Sequence, residues 1–186
     1  MTQEALPSRI AEIPEDKLTA EQKDVFTALV AGRGRLLTPY KIWIHSPKVA
    51  SAMETLGTFL NKRSSLTERE VELGIVLTAH HWKGEYVYQA HVKACLGLGF
   101  PQSVFDAIRA DRVPTLDNPR ERVVYEVALA APEAGPGSDA LFERAATTLG
   151  RDGLAELIAL LGYYSAVAIA MKMHRVPVPV PAPAKA

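Results

Sequence analysis

The fifteen residues from Leu157 to Met171 carry no charge, and Glu156 and Lys172 bound them. A stretch this apolar has to leave water somewhere, because apolar area is stabilised by burial roughly in proportion to its extent. Leu157, Ile158, Leu161, Tyr164, Val167 and Met171 recur at helical spacing and spread over a broad arc. With Glu156 interrupting the run and Lys172 closing it, the pattern fits a bundle core or a subunit interface better than a membrane span. The remainder of the chain must then supply helices to pack against it.

Signals for such helices recur. Thr19-Ala20-Glu21-Gln22 has capping-box spacing, Val25, Phe26, Leu29 and Val30 follow with helical period, and Gly32 or Gly34 ends the run. Ser46-Pro47 predicts a cap and a first-turn proline, opening a helix to about Lys62. Val49, Met53, Leu56, Phe59 and Leu60 would line one side of it. Thr67 and Glu70 make a second capping box, and the helix beyond it is apolar on more than one side. Gly84 interrupts or bends this run, and a further pattern through Tyr88, His91, Val92 and Cys95 closes at Gly97 and Gly99. Pro101, Asn118-Pro119 and Ser138 each start another helix, and PEAGPGS stops the second of these. These readings predict an all-α, single-domain bundle of about seven or eight helices over residues 1–175, with no convincing alternating strand. The proline-spaced VPVPVPAPAKA, residues 176–186, reads as an extended arm. It is either a loose tail or a strap laid over a neighbouring subunit through Val176, Val178 and Val180.

Charge narrows the function classes. Lysine plus arginine number 21 and aspartate plus glutamate 21, so no net field favours a nucleic-acid partner. The single cysteine, Cys95, leaves no intrachain disulfide and no CxxC pair. The start MTQEALPSRIAEIPEDKL lacks a hydrophobic run, which makes the expected compartment cytoplasmic, with no membrane partner.

Candidate chemistry concentrates between Arg69 and His91, in REVELGIVLTAHHWKGEYVYQAH. Glu72 lies among apolar neighbours, where a carboxylate must find donors or take up a proton, unless it faces solvent or a structural partner. His91 lies on the next helix beside Ala90 and Ala94, and imidazole exchanges protons near neutrality; its alternative role is that of a satisfied core histidine. Two antiparallel helices joined near Gly84 would bring these groups together. His80, His81 and Trp82 end the first helix, and Tyr86 and Tyr88 supply hydroxyls and flat walls for a pocket or an interface. A zinc centre from Glu72, His81, His91 and Cys95 has no compact ligand spacing behind it, so no metal or other cofactor is expected. GRGR at Gly32–Gly34 lacks the lysine and threonine of a phosphate loop, no GxSxG elbow occurs, and Cys95 in an apolar helix reads as packing.

At these residues the chain resembles the carboxymuconolactone decarboxylase family, which includes the alkyl-hydroperoxidase D-like proteins. REVELGIVLTAHHWKGEYVYQAHVKACLGLGF, PQSVFDAIRA and LAELIALLGYYSAVAIAMKMHRVPVP carry the resemblance, over roughly residues 45–180. Glu72 and His91 match the family's glutamate and histidine with the same nineteen-residue separation. His81-Trp82 and Tyr86 resemble the decarboxylase-like branch. Gly84 and Val87 stand where the peroxidase branch has two cysteines, which argues against disulfide-based peroxidase chemistry. Tyr86-Val87-Tyr88 replaces a Tyr-Glu-Trp run, and Glu85 is displaced by one position. The resemblance implies a cofactor-free decarboxylase acting on a small carboxylated lactone or oxo-acid. His91 would move the proton, Glu72 would orient it, and Tyr86 or His81 would steady a developing oxyanion. His80, Trp82 and Tyr88 would line the pocket. An isomerase, a hydrolase or a non-catalytic scaffold are the alternatives, and self-association as a trimer, hexamer or dimer is expected. Arg33, Arg35 and Lys41, near Tyr40 and Trp43, are candidate partners for substrate carboxylates.

Overall fold

The computed structural model describes residues 7–178. A 3-10 turn (Glu15–Lys17) precedes eight helices: α1 (Ala20–Arg33), α2 (Thr38–Trp43), α3 (Pro47–Lys62), α4 (Glu68–His81), α5 (Glu85–Gly97), α6 (Gln102–Arg109), α7 (Pro119–Ala130) and α8 (Asp139–Met173). No strand occurs among the described residues. The architecture is the all-α bundle that the sequence predicts.

Helix α4 is its axis. Nine of its fourteen residues are buried, so it must be covered on several sides, and α5, α7 and α8 all pack on it. Gly74 permits a close approach of α8, since a Cβ there would meet Leu160 Cδ2 at 3.2 Å. The start of α4 is set locally: Thr67 Oγ1 accepts the Glu70 amide, and Glu70 Oε2 accepts the Thr67 amide at 2.9 Å. The same Glu70 carboxylate, 1% exposed, receives Arg120 Nε at 2.5 Å and Nη2 at 3.1 Å from α7. Arg69 Nε donates to Glu121 Oε1 at 2.6 Å beside it. Two adjacent ion pairs therefore lock the foot of α4 onto α7.

Several local expectations need correction. Ser46 makes no side-chain cap, although Pro47 does open α3. On α3 Leu60 is buried and Met53 half-buried, but Val49, Leu56 and Phe59 are exposed. Gly99 takes a left-handed φ of +84°, whereas Gly97 stays helical. At the α4–α5 turn the left-handed residue is Lys83 (φ 55°), while Gly84 has φ −83°. Gly84 is needed for a different reason: a Cβ there would sit 3.3 Å from Ala168 Cβ, so its absence lets the turn press onto α8. The two helical segments expected on either side of Gly150 are both present; that glycine is non-helical (φ 80°, ψ 162°), and they meet there in a kink without a loop, together making α8.

α8 is the one described helix long and apolar enough to cross a membrane, and half of its most apolar stretch is buried in the bundle. Beyond it, Val176 donates its amide to Met171 O at 3.0 Å and packs on the core of its own chain. Residues 179–186, with Val180, lie outside the described residues. At the other end, residues 8–12 cross the same region. Arg9 N donates to His174 O at 2.8 Å, and Ala11 O lies 2.8 Å from His45 Nε2.

Candidate active site

Glu72 projects from the second turn of α4 and His91 from the middle of α5. The Trp82–Gly84 turn folds α5 back along α4, and this carries His91 Nδ1 to 2.7 Å from Glu72 Oε2. The two side chains are 23% and 15% exposed, so the pair is neither fully solvated nor sealed. A carboxylate can only accept, which places a hydrogen on Nδ1 and leaves Nε2 as the nitrogen available for other chemistry. One turn further along α5, Cys95 is fully buried; burial first, and the Glu72 carboxylate second, push its thiol up to about 12.

His91 lines a cavity of about 560 Å³. Its floor comes from Tyr86, Val87 and Ala90 on α5 and from Tyr163, Tyr164, Val167 and Met171 on α8. Residues 35–41 form the opposite wall, and Asn61 closes one side. Glu72 is not among the lining residues, so the imidazole stands between the carboxylate and the space. Phenol groups dominate the polar lining, and each is tethered. Tyr86 Oη lies 3.3 Å from Thr38 Oγ1, Tyr40 Oη lies 3.2 Å from Tyr163 Oη, and Tyr164 Oη donates to Asn61 Oδ1 at 2.9 Å. The Tyr164 ring also meets the His91 imidazole edge-on, with centroids 5.4 Å apart. This is a half-enclosed aromatic chamber with one imidazole in its wall, able to hold a small planar molecule and exchange a proton with it.

The other sequence candidates divide. Tyr86 joins His91 in the cavity. His81, Trp82, His80 and Tyr88 do not line it, because the end of α4 and the adjoining side of α5 pack toward other elements. Trp82 Nε1 donates to Ser165 Oγ at 2.8 Å, which ties the turn to α8, and exposed His81 packs edge-on against its indole. His80 Nε2 lies 2.8 Å from Asp111 Oδ1, and both histidines border a separate cavity of about 250 Å³ with Lys83. Tyr88 is buried toward α6, donates to Phe105 O at 3.2 Å and lies beneath the Arg109 guanidinium. Glu85 grips Arg109 in a fork at 2.7 and 2.9 Å, and that pairing holds its carboxyl below the ordinary range. Glu85 thus faces away from the chamber.

Sequence reading alone missed Tyr40, Tyr163 and Asn61 as wall residues and placed Tyr164 only in the core. The available signal was Thr38-Pro39, whose proline marks a helix start and sets Tyr40 at a first-turn position.

A scan against protein-family models finds no match, and a search of curated proteins finds none. Solved structures do match along almost the whole chain. An alkylhydroperoxidase AhpD core, peroxidase-related protein from Ralstonia eutropha JMP134 superposes with TM-score 0.73 at 18% identity, covering 94% of each chain. A peroxidase-related protein from Silicibacter sp. TM1040 gives TM-score 0.69 at 18% identity, over 94% of this chain and 93% of that one. The debrominase Bmp8, as a cysteine-to-alanine variant in complex with 2,3,4-tribromopyrrole, gives TM-score 0.70 at 12% identity over 95% of both. Across this sequence distance the likeness is one of architecture: the chain has the AhpD-like fold of the peroxidase-related proteins.

Proposed function

We propose that this protein is a cofactor-free lyase of the carboxymuconolactone decarboxylase type, acting on a small carboxylated lactone or oxo-acid. The observation that carries the reading is the 2.7 Å His91–Glu72 pair set in the wall of an open cavity. Thiol-based peroxidase chemistry has no support, because the lone thiol is buried and held protonated.

In the proposed reaction the substrate lies against the tyrosine walls. Its carbon–carboxyl bond breaks, carbon dioxide leaves, and the electron pair moves into a conjugated carbonyl as an enolate. His91 Nε2 delivers the proton to the carbanionic carbon and recovers one from water. Glu72 holds Nδ1–H, fixes the ring and stabilises the imidazolium while it carries both protons. Tyr86 donates to the enolate oxygen.

The test is incubation of purified protein with 4-carboxymuconolactone, following carbon dioxide release separately from ring opening. His91→Gln lowers kcat by roughly 10²-fold or more, and Glu72→Gln by about 10²-fold with little change in KM. Full turnover by His91→Gln sinks the assignment, and ring opening without carbon dioxide reassigns the site to a hydrolase.

We further propose self-association through the outer side of α8, where Ile158, Ile169 and Met173 are exposed.

A further inference from the structure

We propose that Arg35 anchors a substrate carboxylate that the reaction leaves in place; this rests on reading the His91 cavity as the active site. The cavity contains no aspartate or glutamate among its lining residues, and two cations, Arg35 and Lys41. Lys41 is already matched, with Nζ 2.7 Å from Glu12 Oε1. Arg35 has no hydrogen bond or ion pair among the described residues. Arg69, Arg109, Arg120 and Arg144, by contrast, each hold a carboxylate of the chain itself. A guanidinium facing a tyrosine-walled space without a neutralising acid selects an anion, and its fork fits a carboxylate best.

The position of Arg35 is set by its neighbour. Gly34 ends α1 in a left-handed conformation (φ 74°), donating its amide to Val30 O at 2.7 Å. That left-handed residue turns the chain out of α1, and Arg35, itself exposed, follows it at the rim of the cavity.

Chemistry then decides which carboxylate is held. An ion pair with arginine stabilises the carboxylate ion and is forfeited when that group becomes neutral carbon dioxide. Binding the departing group in this way would stabilise the ground state and slow the reaction. Arg35 therefore holds a second, retained carboxylate, while the departing one lies among the phenols beside His91. The ligand class is a small planar acid bearing an anionic handle remote from its reacting carbon.

Binding of benzoate and of its neutral isostere benzamide, measured by ligand-observed NMR on the intact protein, tests this without catalysis. Wild type should hold benzoate about 10-fold more tightly than benzamide, a preference that shrinks in high salt. Arg35→Gln should erase the preference while benzamide affinity stays the same, which shows that the cavity is intact. His91→Gln should keep the preference, separating the anchor from the imidazole. A preference that survives Arg35→Gln overturns the proposal, as does a wild type that fails to distinguish the two probes or binds neither. If the preference depends on Arg35 but no substrate loses carbon dioxide, the anchor stands and the lyase reading falls.

Discussion

Replacing Gly57 by alanine probes the cavity wall from behind. Gly57 is buried on α3, and a Cβ built there would lie 2.7 Å from Tyr163 Cζ and closer still to the Tyr163 hydroxyl. Tyr163 is no free end that can swing away: it walls the cavity and its hydroxyl meets that of Tyr40. Overpacking of this kind costs about 1–3 kcal/mol. Displacing the Tyr40–Tyr163 hydrogen bond adds about 1 kcal/mol. The better helix propensity of alanine returns about 1 kcal/mol. The net expectation is destabilisation by about 1–3 kcal/mol, which for a domain of this size lowers Tm by roughly 2–12 °C. Urea unfolding with the m-value checked measures it directly. Gly162→Ala is the matched control, because nothing lies within 4 Å of a Cβ at that site in α8. It should gain about 0.5–1 kcal/mol. Adding Tyr163→Phe, which removes the nearest atom, should recover part of the Gly57→Ala loss as a non-additive coupling. A Gly57→Ala protein as stable as wild type, uncoupled from Tyr163→Phe, would refute the reasoning.

Arg120→Ala leaves the Glu70 carboxylate buried without its main donors and should cost about 3–5 kcal/mol in urea unfolding; a loss below 1 kcal/mol would mean that solvent reaches Glu70. Cys95, with its thiol pushed up to about 12, should resist iodoacetamide in the native protein at pH 8 and react promptly once unfolded. Rapid native labelling would contradict its burial. Ile158→Glu combined with Ile169→Glu should reduce the assembly mass seen by sedimentation while leaving the helical circular dichroism unchanged; identical sedimentation would remove the outer side of α8 as a contact surface. Arg109→Ala, which also removes the guanidinium over Tyr88 at every pH, should weaken the protein more above the ordinary carboxyl range than below it. A Glu85 carboxyl held low contributes stability above that range and loses it as pH falls through its folded value. Because Glu85 is 37% exposed, that loss stays below about 1 kcal/mol.

What could be read in advance was what depends on neighbours in sequence. The capping boxes at Thr19 and Thr67 form as spelled, because each needs only four consecutive residues. The Glu72–His91 contact was legible because one hairpin with a short turn leaves few ways to pair two amphipathic helices. Helix α2 escaped notice, since six residues cannot display a period. The cavity wall was equally hidden: Tyr40 meets Tyr163 across 123 positions, and no local pattern encodes that pairing. The directions of His80, His81, Trp82 and Tyr88 were not legible for a related reason. They sit near a turn, where α6, α8 and Asp111 decide which way each ring faces. Composition signalled a glycine at the turn, but its missing Cβ, not its backbone freedom, is what the fold uses.

A single layer of helix separates two environments at α8. Its inner residues, Tyr163, Tyr164, Val167 and Met171, touch whatever occupies the chamber, and Ile158 and Ile169 look outward from the same rigid rod. Close-packed interiors transmit displacement with little give. A substitution on the outside of this rod, far from any substrate contact, is therefore expected to be read as a change in ligand affinity through the ring that leans on His91.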